Sequence, residues 1–243
     1  LDTPGAKTAA DHWAFQRDTL NPMAERIAPL LAEALLREED TAPMGRLLSE
    51  WSHHDDPELA APLVFHAVYD RFAPLVFTHE LAEELAEVML SNWYFWQERL
   101  AAMVDANDSE WFDDHTTDEL VETRDDLFVR AAREVAAELG AELGSDPASW
   151  RWGDAHRLEF VSPLRRDGVG KGLLGGGSHA MPGSGETLHR GLYDYDEPFA
   201  VSVSASVRMV VDLADDDKVL AVLPGGVTGR HLHPHYTDQI DAF

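Results

Sequence analysis

Three histidines on alternate positions, His231, His233 and His235, come closest in type and spacing to spelling chemistry in this chain. On an extended strand they share one face, and three imidazoles with an open fourth position are what a hydrolytic zinc site needs. Pro234 interrupts such a strand, so surface or packing roles are the plainer account. The run Gly175-Gly176-Gly177-Ser178-His179 offers backbone amides to an anion. No helix start follows it, however, and it lacks the lysine of a phosphate loop, so it reads as a flexible loop. His53-His54-Asp55-Asp56 reads as a solvated turn between helices. There is no G-x-S-x-G nucleophile elbow, no HExxH pair and no cysteine, which removes disulfides, thiolate metal sites and Cys nucleophiles. Taken alone, these residues compose no active site.

Charge narrows the partners. With 45 acidic against 19 basic residues the net charge is −26, which argues against nucleic acid or an anionic membrane as a direct partner. Only Lys7, Lys171 and Lys218 are lysines. Such a balance fits a protein of high salt, where screening acts within about 3 Å and self-repulsion is muted. No apolar run approaches the roughly 18 residues of a membrane span. The 243 residues suffice for one large domain or two small ones. The chain starts at Leu1 without a signal segment and stops at Phe243, so it is expected to be an internal piece of a longer protein.

The elements that must position any chemistry divide at about residue 150. In residues 1–149 the spacing is helical. Leu20, Met23, Ile27, Leu30, Leu31, Ala34 and Leu35 mark one face, with a break near residue 21 where Asn21-Pro22 suits an N-cap and first turn, and with Pro29 leaving two helices or a kinked one open. A second helix is expected from Thr78 to about Met103, its cluster Trp93-Tyr94-Phe95-Trp96 serving as core or seam rather than as a ligand platform. A third is expected from a Thr116/Glu119 capping box to Gly140 or Gly144. Residues 150–243 are rich in strands. A short strand is expected at 156–161, and apolar residues fill every odd position from Phe199 to Leu213, a run long enough to predict a bulge or break near Ser204–Ser206. A turn at Asp215–Asp217 then leads into Val219–Leu223 as an antiparallel hairpin. Between these, Arg165–Leu192, with nine glycines, reads as a long loop or flap.

Read as a string of motifs, the chain says more. Thr8-Ala9-Ala10-Asp11 leads to Gln16-Arg17-Asp18, then to Ala24, Pro29 and Leu30-Leu31. Trp152-Gly153-Asp154-Ala155-His156 and Gly183-Ser184-Gly185-Glu186-Thr187 follow. Ser206 to Leu213, Leu220 to Gly226 and His235-Tyr236-Thr237-Asp238-Gln239 close the series. In order and spacing these resemble the C-terminal half of the β-chain of penicillin acylases, amidohydrolases with an N-terminal nucleophile.

The resemblance implies an α+β chain forming part of a four-layer αββα fold, in which both halves belong to one larger β-chain domain. It implies a self-cleaving precursor whose β-chain begins with Ser, the Ser hydroxyl attacking an amide carbonyl with its own α-amino group as base. The partners are then the α-chain, the Ser-headed part of the β-chain and a small N-acyl substrate: a β-lactam side chain, an N-acyl homoserine lactone or a lipopeptide. In the order of the family's motifs the Ser and the oxyanion-binding Asn precede Thr8, so no catalytic residue is expected here and the lone chain is expected to be inactive. Arg17 or Asn21 matches an arginine that some members carry near the active site, on a helix containing Gln16 to Asn21. Asp11 or Ala10 matches a structural calcium ligand, and no organic cofactor is implied. The setting implied is extracellular or periplasmic. Two rival readings remain, a non-catalytic scaffold that keeps the fold and a zinc hydrolase built on the three histidines.

Overall fold

The computed structural model of the chain describes residues 5, 7–81, 83–117, 120–161, 175–215 and 217–243; the side chains of residues 83 and 93–95 are not described. Helix α1 (Ala9–Phe15) opens under a reciprocal cap in which Thr8 and Asp11 each bond the other's backbone. Helix α2 (Pro22–Leu36) starts where Asn21-Pro22 predicts, the Asn21 Oδ1 accepting the Ala24 N–H at 3.0 Å. The two are separate helices, and α2 runs through Pro29. No helix contains Gln16 to Asn21, which form the connection.

Helices α3 (Ala42–Ser49) and α4 (Ala61–Phe77) follow. Helix α4 is buried on nearly every side, which is why an amphipathic search passes over it. The expected helix from Thr78 to Met103 is replaced by two. Thr78 caps the end of α4, and α5 (Glu83–Leu90) and α6 (Trp93–Ala106) are parted at Ser91-Asn92. The reason is local: Ser91 Oγ and Asn92 Nδ2 both donate to the Val88 carbonyl, at 3.0 and 2.8 Å, and so compete with the helical bonds. Trp96 is core, 1% exposed, while the side chains of its neighbours Trp93, Tyr94 and Phe95 lie outside those described.

Helix α7 (Arg124–Leu143) starts later than the Thr116/Glu119 box predicts. Asp114 takes the Thr116 hydroxyl at 2.6 Å into a turn, and the working capping box is Thr123 with Asp126. Glu119 lies outside the described residues. The helix ends before Gly144, as its spacing predicts. A short helix, α8 (Trp152–Ala155), completes the helical part.

Among the described residues six strands follow: β1 (Arg157–Phe160), β2 (Gly177–Ala180), β3 (Gly191–Asp194), β4 (Glu197–Ser204), β5 (Arg208–Val211) and β6 (Val219–Val222). The first four form one sheet in the order β2-β1-β4-β3. Within it β1/β2 and β3/β4 are antiparallel, and β1 meets β4 in parallel at Arg157 and Ala200. Strands β5 and β6 form the expected antiparallel hairpin, with Met209 opposite Ala221, and the expected break separates β4 from β5 at residues 205–207. The glycine-rich stretch differs from its reading as a loop, since β2 and β3 both lie in it. Gly176 donates its N–H to Phe160 at 2.7 Å, so β2 exists because β1 pairs with it and not because its own side chains favour a strand. Residues 162–174 of that stretch lie outside the described residues.

The main hydrophobic core draws on residues 23–152, and among the described strand residues Tyr193 is its one buried contributor. A second, small cluster holds Met181, Val222 and Phe243.

Candidate functional site

His66, Asp70 and Arg71 interrupt the apolar helix α4; Arg71 pairs outward with Glu138, while His66 and Asp70 lie one turn apart and so on one face. Asp55 is brought beneath them because the chain before α2 and the chain before α4 pair with each other. Asn21 N–H donates to His53 O and Asp55 N–H to Thr19 O, each at 2.9 Å. Asp55, expected in a solvated turn, is therefore fully buried. Its Oδ2 accepts from Asn21 Nδ2 at 3.1 Å and from His66 Nε2 at 3.3 Å. On its other side, His66 Nδ1 lies 3.3 Å from the Tyr193 hydroxyl, which donates to Asp70 Oδ2 at 2.7 Å. A buried line of polar groups thus joins both connections, helix α4 and strand β3.

The Trp152-Gly153-Asp154-Ala155-His156 motif builds the flank of this line. Trp152 stacks between His66 and His156, with ring centroids 4.7 and 4.3 Å away. His156 Nδ1 donates to the Phe199 carbonyl at 2.9 Å. Gly191 is required opposite, since a Cβ there would lie 2.6 Å from His156 Nε2. The Gly183-to-Thr187 motif is a buried turn in which Thr187 Oγ1 accepts the Ser184 N–H at 2.8 Å. Gly183 has φ +79, and a side chain there would meet the His189 carbonyl. Ser184 is fully buried in this turn and is not poised as a nucleophile.

The electrostatics separate the titratable groups. Burial pushes the His66 imidazole down, but the charge and hydrogen bond of Asp55, helped by Asp70 and Glu186, overcome it and hold its pKa above the ordinary value. A protonated His66 then donates from both ring nitrogens, to Asp55 Oδ2 and to Tyr193, while Asp55 Oδ1 has no partner among the described residues. Burial raises Asp70 to about 6 against the opposing pull of His66 and Tyr193. Burial likewise raises Glu186. His156 goes the other way, to about 3, through burial and the His66 charge.

The residues singled out in the sequence are scattered. Asp11 Oδ2 accepts the Thr8 N–H at 2.7 Å and its hydroxyl at 2.8 Å. Among the described residues no group of three or more His, Asp or Glu is placed to hold a metal. Arg17 is exposed, whereas Asn21 is buried in the polar line. His231, His233 and His235 lie in turns, not on a strand. His233 Nδ1 accepts the His235 N–H at 3.1 Å and His235 Nδ1 bonds Asp238 at 2.7 Å, so the shared imidazole face is absent. Pro234 is the reason, since an extended ladder cannot run through it. Sequence reasoning missed His66, Asp70, Tyr193, His189 and Arg208. The usable signal was a histidine and an aspartate four apart inside a helix whose only other charged residue is Arg71.

A second feature is an open apolar surface on the strands. Val207, Met209, Val211, Leu213, Val219, Leu220 and Leu223 are each at least 38% exposed. A cleft of about 710 Å³ opens where Phe160 and Val161, Ala205 and Ser206, and Pro224–Gly226 face one another. Another of about 620 Å³ lies between α1 and β5, walled by Phe15, Leu188, Val207 and Met209.

Comparison with known proteins bears on this directly. The family model for penicillin amidase matches residues 1–243. The acyl-homoserine lactone acylase QuiP of Pseudomonas putida is 24% identical over 255 residues, 95% of this chain and 30% of that protein. Its namesake from Pseudomonas syringae pv. tomato is 27% identical over 199 residues, 76% of this chain and 24% of that protein. That of Pseudomonas aeruginosa is 29% identical over 152 residues, 56% of this chain and 18% of that protein. The chain spans less than a third of the length of these curated relatives.

Proposed function

This chain belongs to the penicillin amidase family, and from that premise we propose that it is one part of an acylase that hydrolyses the amide of an N-acyl homoserine lactone. The family match over the whole chain carries the reading, and the names of the relatives supply the substrate class. The nucleophile is a Ser at the head of another polypeptide of the same precursor. Its hydroxyl adds to the amide carbonyl, its own α-amino group takes the proton, the amine of the lactone leaves, and water releases the fatty acid from the acyl-enzyme. An amine with a pKa of about 7.7 to 8.0 is a competent base at mildly alkaline pH. In this account the present chain supplies the helical scaffold and strands that finish the sheet around that Ser. It carries no catalytic residue, and it acts outside the cytoplasm. Two observations support it: the buried polar line ties the helices to the sheet, and the strands leave an apolar face uncovered.

The full-length protein should release homoserine lactone from an N-acyl homoserine lactone, and replacement of the Ser that heads the partner polypeptide by Ala should abolish the release. Activity that survives this replacement would overturn the mechanism. Processed protein without a polypeptide headed by Ser, Thr or Cys would favour the non-catalytic scaffold.

A further inference from the structure

Among the described residues two arginines are buried, Arg124 and Arg208, and they differ in how they are served. Arg124, 8% exposed, donates to the Val104 carbonyl at 2.9 Å and to Asp125 at 2.7 Å. Arg208, at the start of β5, is 3% exposed, and its Nε and Nη2 have no hydrogen-bond partner among the described residues. It lies over the Phe243 ring, 4.6 Å from the centroid. An aromatic face offsets only part of what a guanidinium loses when it leaves water.

The surroundings add positive charge where a counter-ion would be expected. Arg17 is close enough to weaken the protonated form of Arg208, and no described carboxylate is paired with either residue. His189, 1% exposed, feels both arginines and, with burial, is held neutral, its pKa lowered to about 4. In a chain with 45 acidic residues, two neighbouring arginines without a carboxylate are an anomaly. Arg208 lines the cleft of about 620 Å³ between α1 and β5, whose walls Phe15, Leu188, Val207 and Met209 are apolar. A receptor with this lining takes one carboxylate set among apolar groups.

We propose that Arg17 and Arg208 form the receptor for an Asp or Glu side chain, flanked by apolar residues, on the polypeptide segment that covers the β5–β6 face. The choice of a polypeptide over a free acid rests on continuity: the cleft runs into the exposed surface of Val207, Met209 and Val211. A covering segment that buries this face brings its carboxylate to Arg208 in the cleft wall, within reach of the charge of the exposed Arg17. The inference builds on the proposed function only in taking the covering segment from the same precursor.

The test uses the full-length processed protein carrying Arg17→Lys, treated with a zero-length carbodiimide that joins an amine to a carboxylate in contact. Mass spectrometry is expected to find position 17 joined to an Asp or Glu outside residues 1–243. Lys218, 2.8 Å from Asp215, is the internal control. With that control present, a missing cross-link, or one only to acids within residues 1–243, would overturn the proposal. So would saturable binding of butyrate or decanoate to the full-length protein that is lost in Arg208→Gln, measured without carbodiimide, which would assign the site to a free acid. Adding Arg208→Gln should lower the cross-link yield at least tenfold, and an unchanged yield would remove Arg208 from the receptor. Should that variant fail to fold, the Arg17→Lys result decides alone. The Ser→Ala replacement in the partner should abolish turnover and leave the cross-link intact, so failure of the catalytic reading is distinguished from failure of this one.

Discussion

Residues 22–155 and residues 157–243 obey the same physics with opposite outcomes. The helical part closes a core on itself: Ile27, Leu31, Leu35, Leu63, Phe65, Phe72 and Phe128 are all fully buried. The strand part closes on little besides Met181, Val222 and Phe243, and its hairpin leaves Met209 53% and Leu220 44% exposed. Strands gain stability by covering a face, and these lack the cover that the helices give one another. The comparison separates a scaffold that holds itself from a surface made to be held.

Removing one large ring from the helical core should have the greatest effect. Phe72→Ala deletes a ring packed on Phe128 at a 4.5 Å centroid separation and on Phe112 at 6.1 Å, and should cost about 4 kcal/mol in denaturant unfolding. A cost near zero would mean that the helical part is not the stable unit. Next in size is the line that joins the two parts. His66→Gln strips Asp55 of one of its two buried donors and Tyr193 of its donor, and should cost about 3 kcal/mol, with the near-ultraviolet circular dichroism of the stacked Trp152 altered.

The pH dependence should be smaller, and its sign follows from the shifts. His156 and His189 stay neutral down to about 3 and about 4. The unfolded chain takes up those protons below about pH 6.5, so stability is lost as pH falls. Asp70, raised to about 6, and Glu186 act in the opposite sense and offset part of that loss. Above pH 6.5 His66, held protonated in the fold, loses its contribution as it titrates. Melting temperature should therefore peak near pH 6.5, and His66→Gln should flatten the alkaline side; an unchanged alkaline side would dismiss the protonated His66. The smallest effect belongs to the open face. Leu220→Ser should change the stability of this chain by under about 0.5 kcal/mol while reducing binding of a hydrophobic dye, and a large destabilisation would show the hairpin already packed.

Much of this division was legible in the sequence. The Asn21-Pro22 start of α2, the end of α7 at Gly144, the alternation of residues 199–213 and its break near Ser204–Ser206 are local signals and were read correctly. Helix α4 was passed over because it has no polar face to set a period. Strand β2 was taken for a loop because its partner β1, not its own glycines, makes it a strand. The polar line was missed for a related reason: Asp55, His66 and Tyr193 are far apart in the chain and meet only through tertiary pairing. Asp55 beside two histidines had the composition of a turn, and nothing local says that such a turn is buried.

Amide hydrogen exchange over residues 204–223, compared between this chain alone and the full-length processed protein, tests most directly whether the strand part is completed by a second polypeptide segment. Protection of those residues should rise at least tenfold in the full-length protein while residues 22–36 and 61–77 exchange equally slowly in both. Equal protection of residues 204–223 in the two samples would contradict the account.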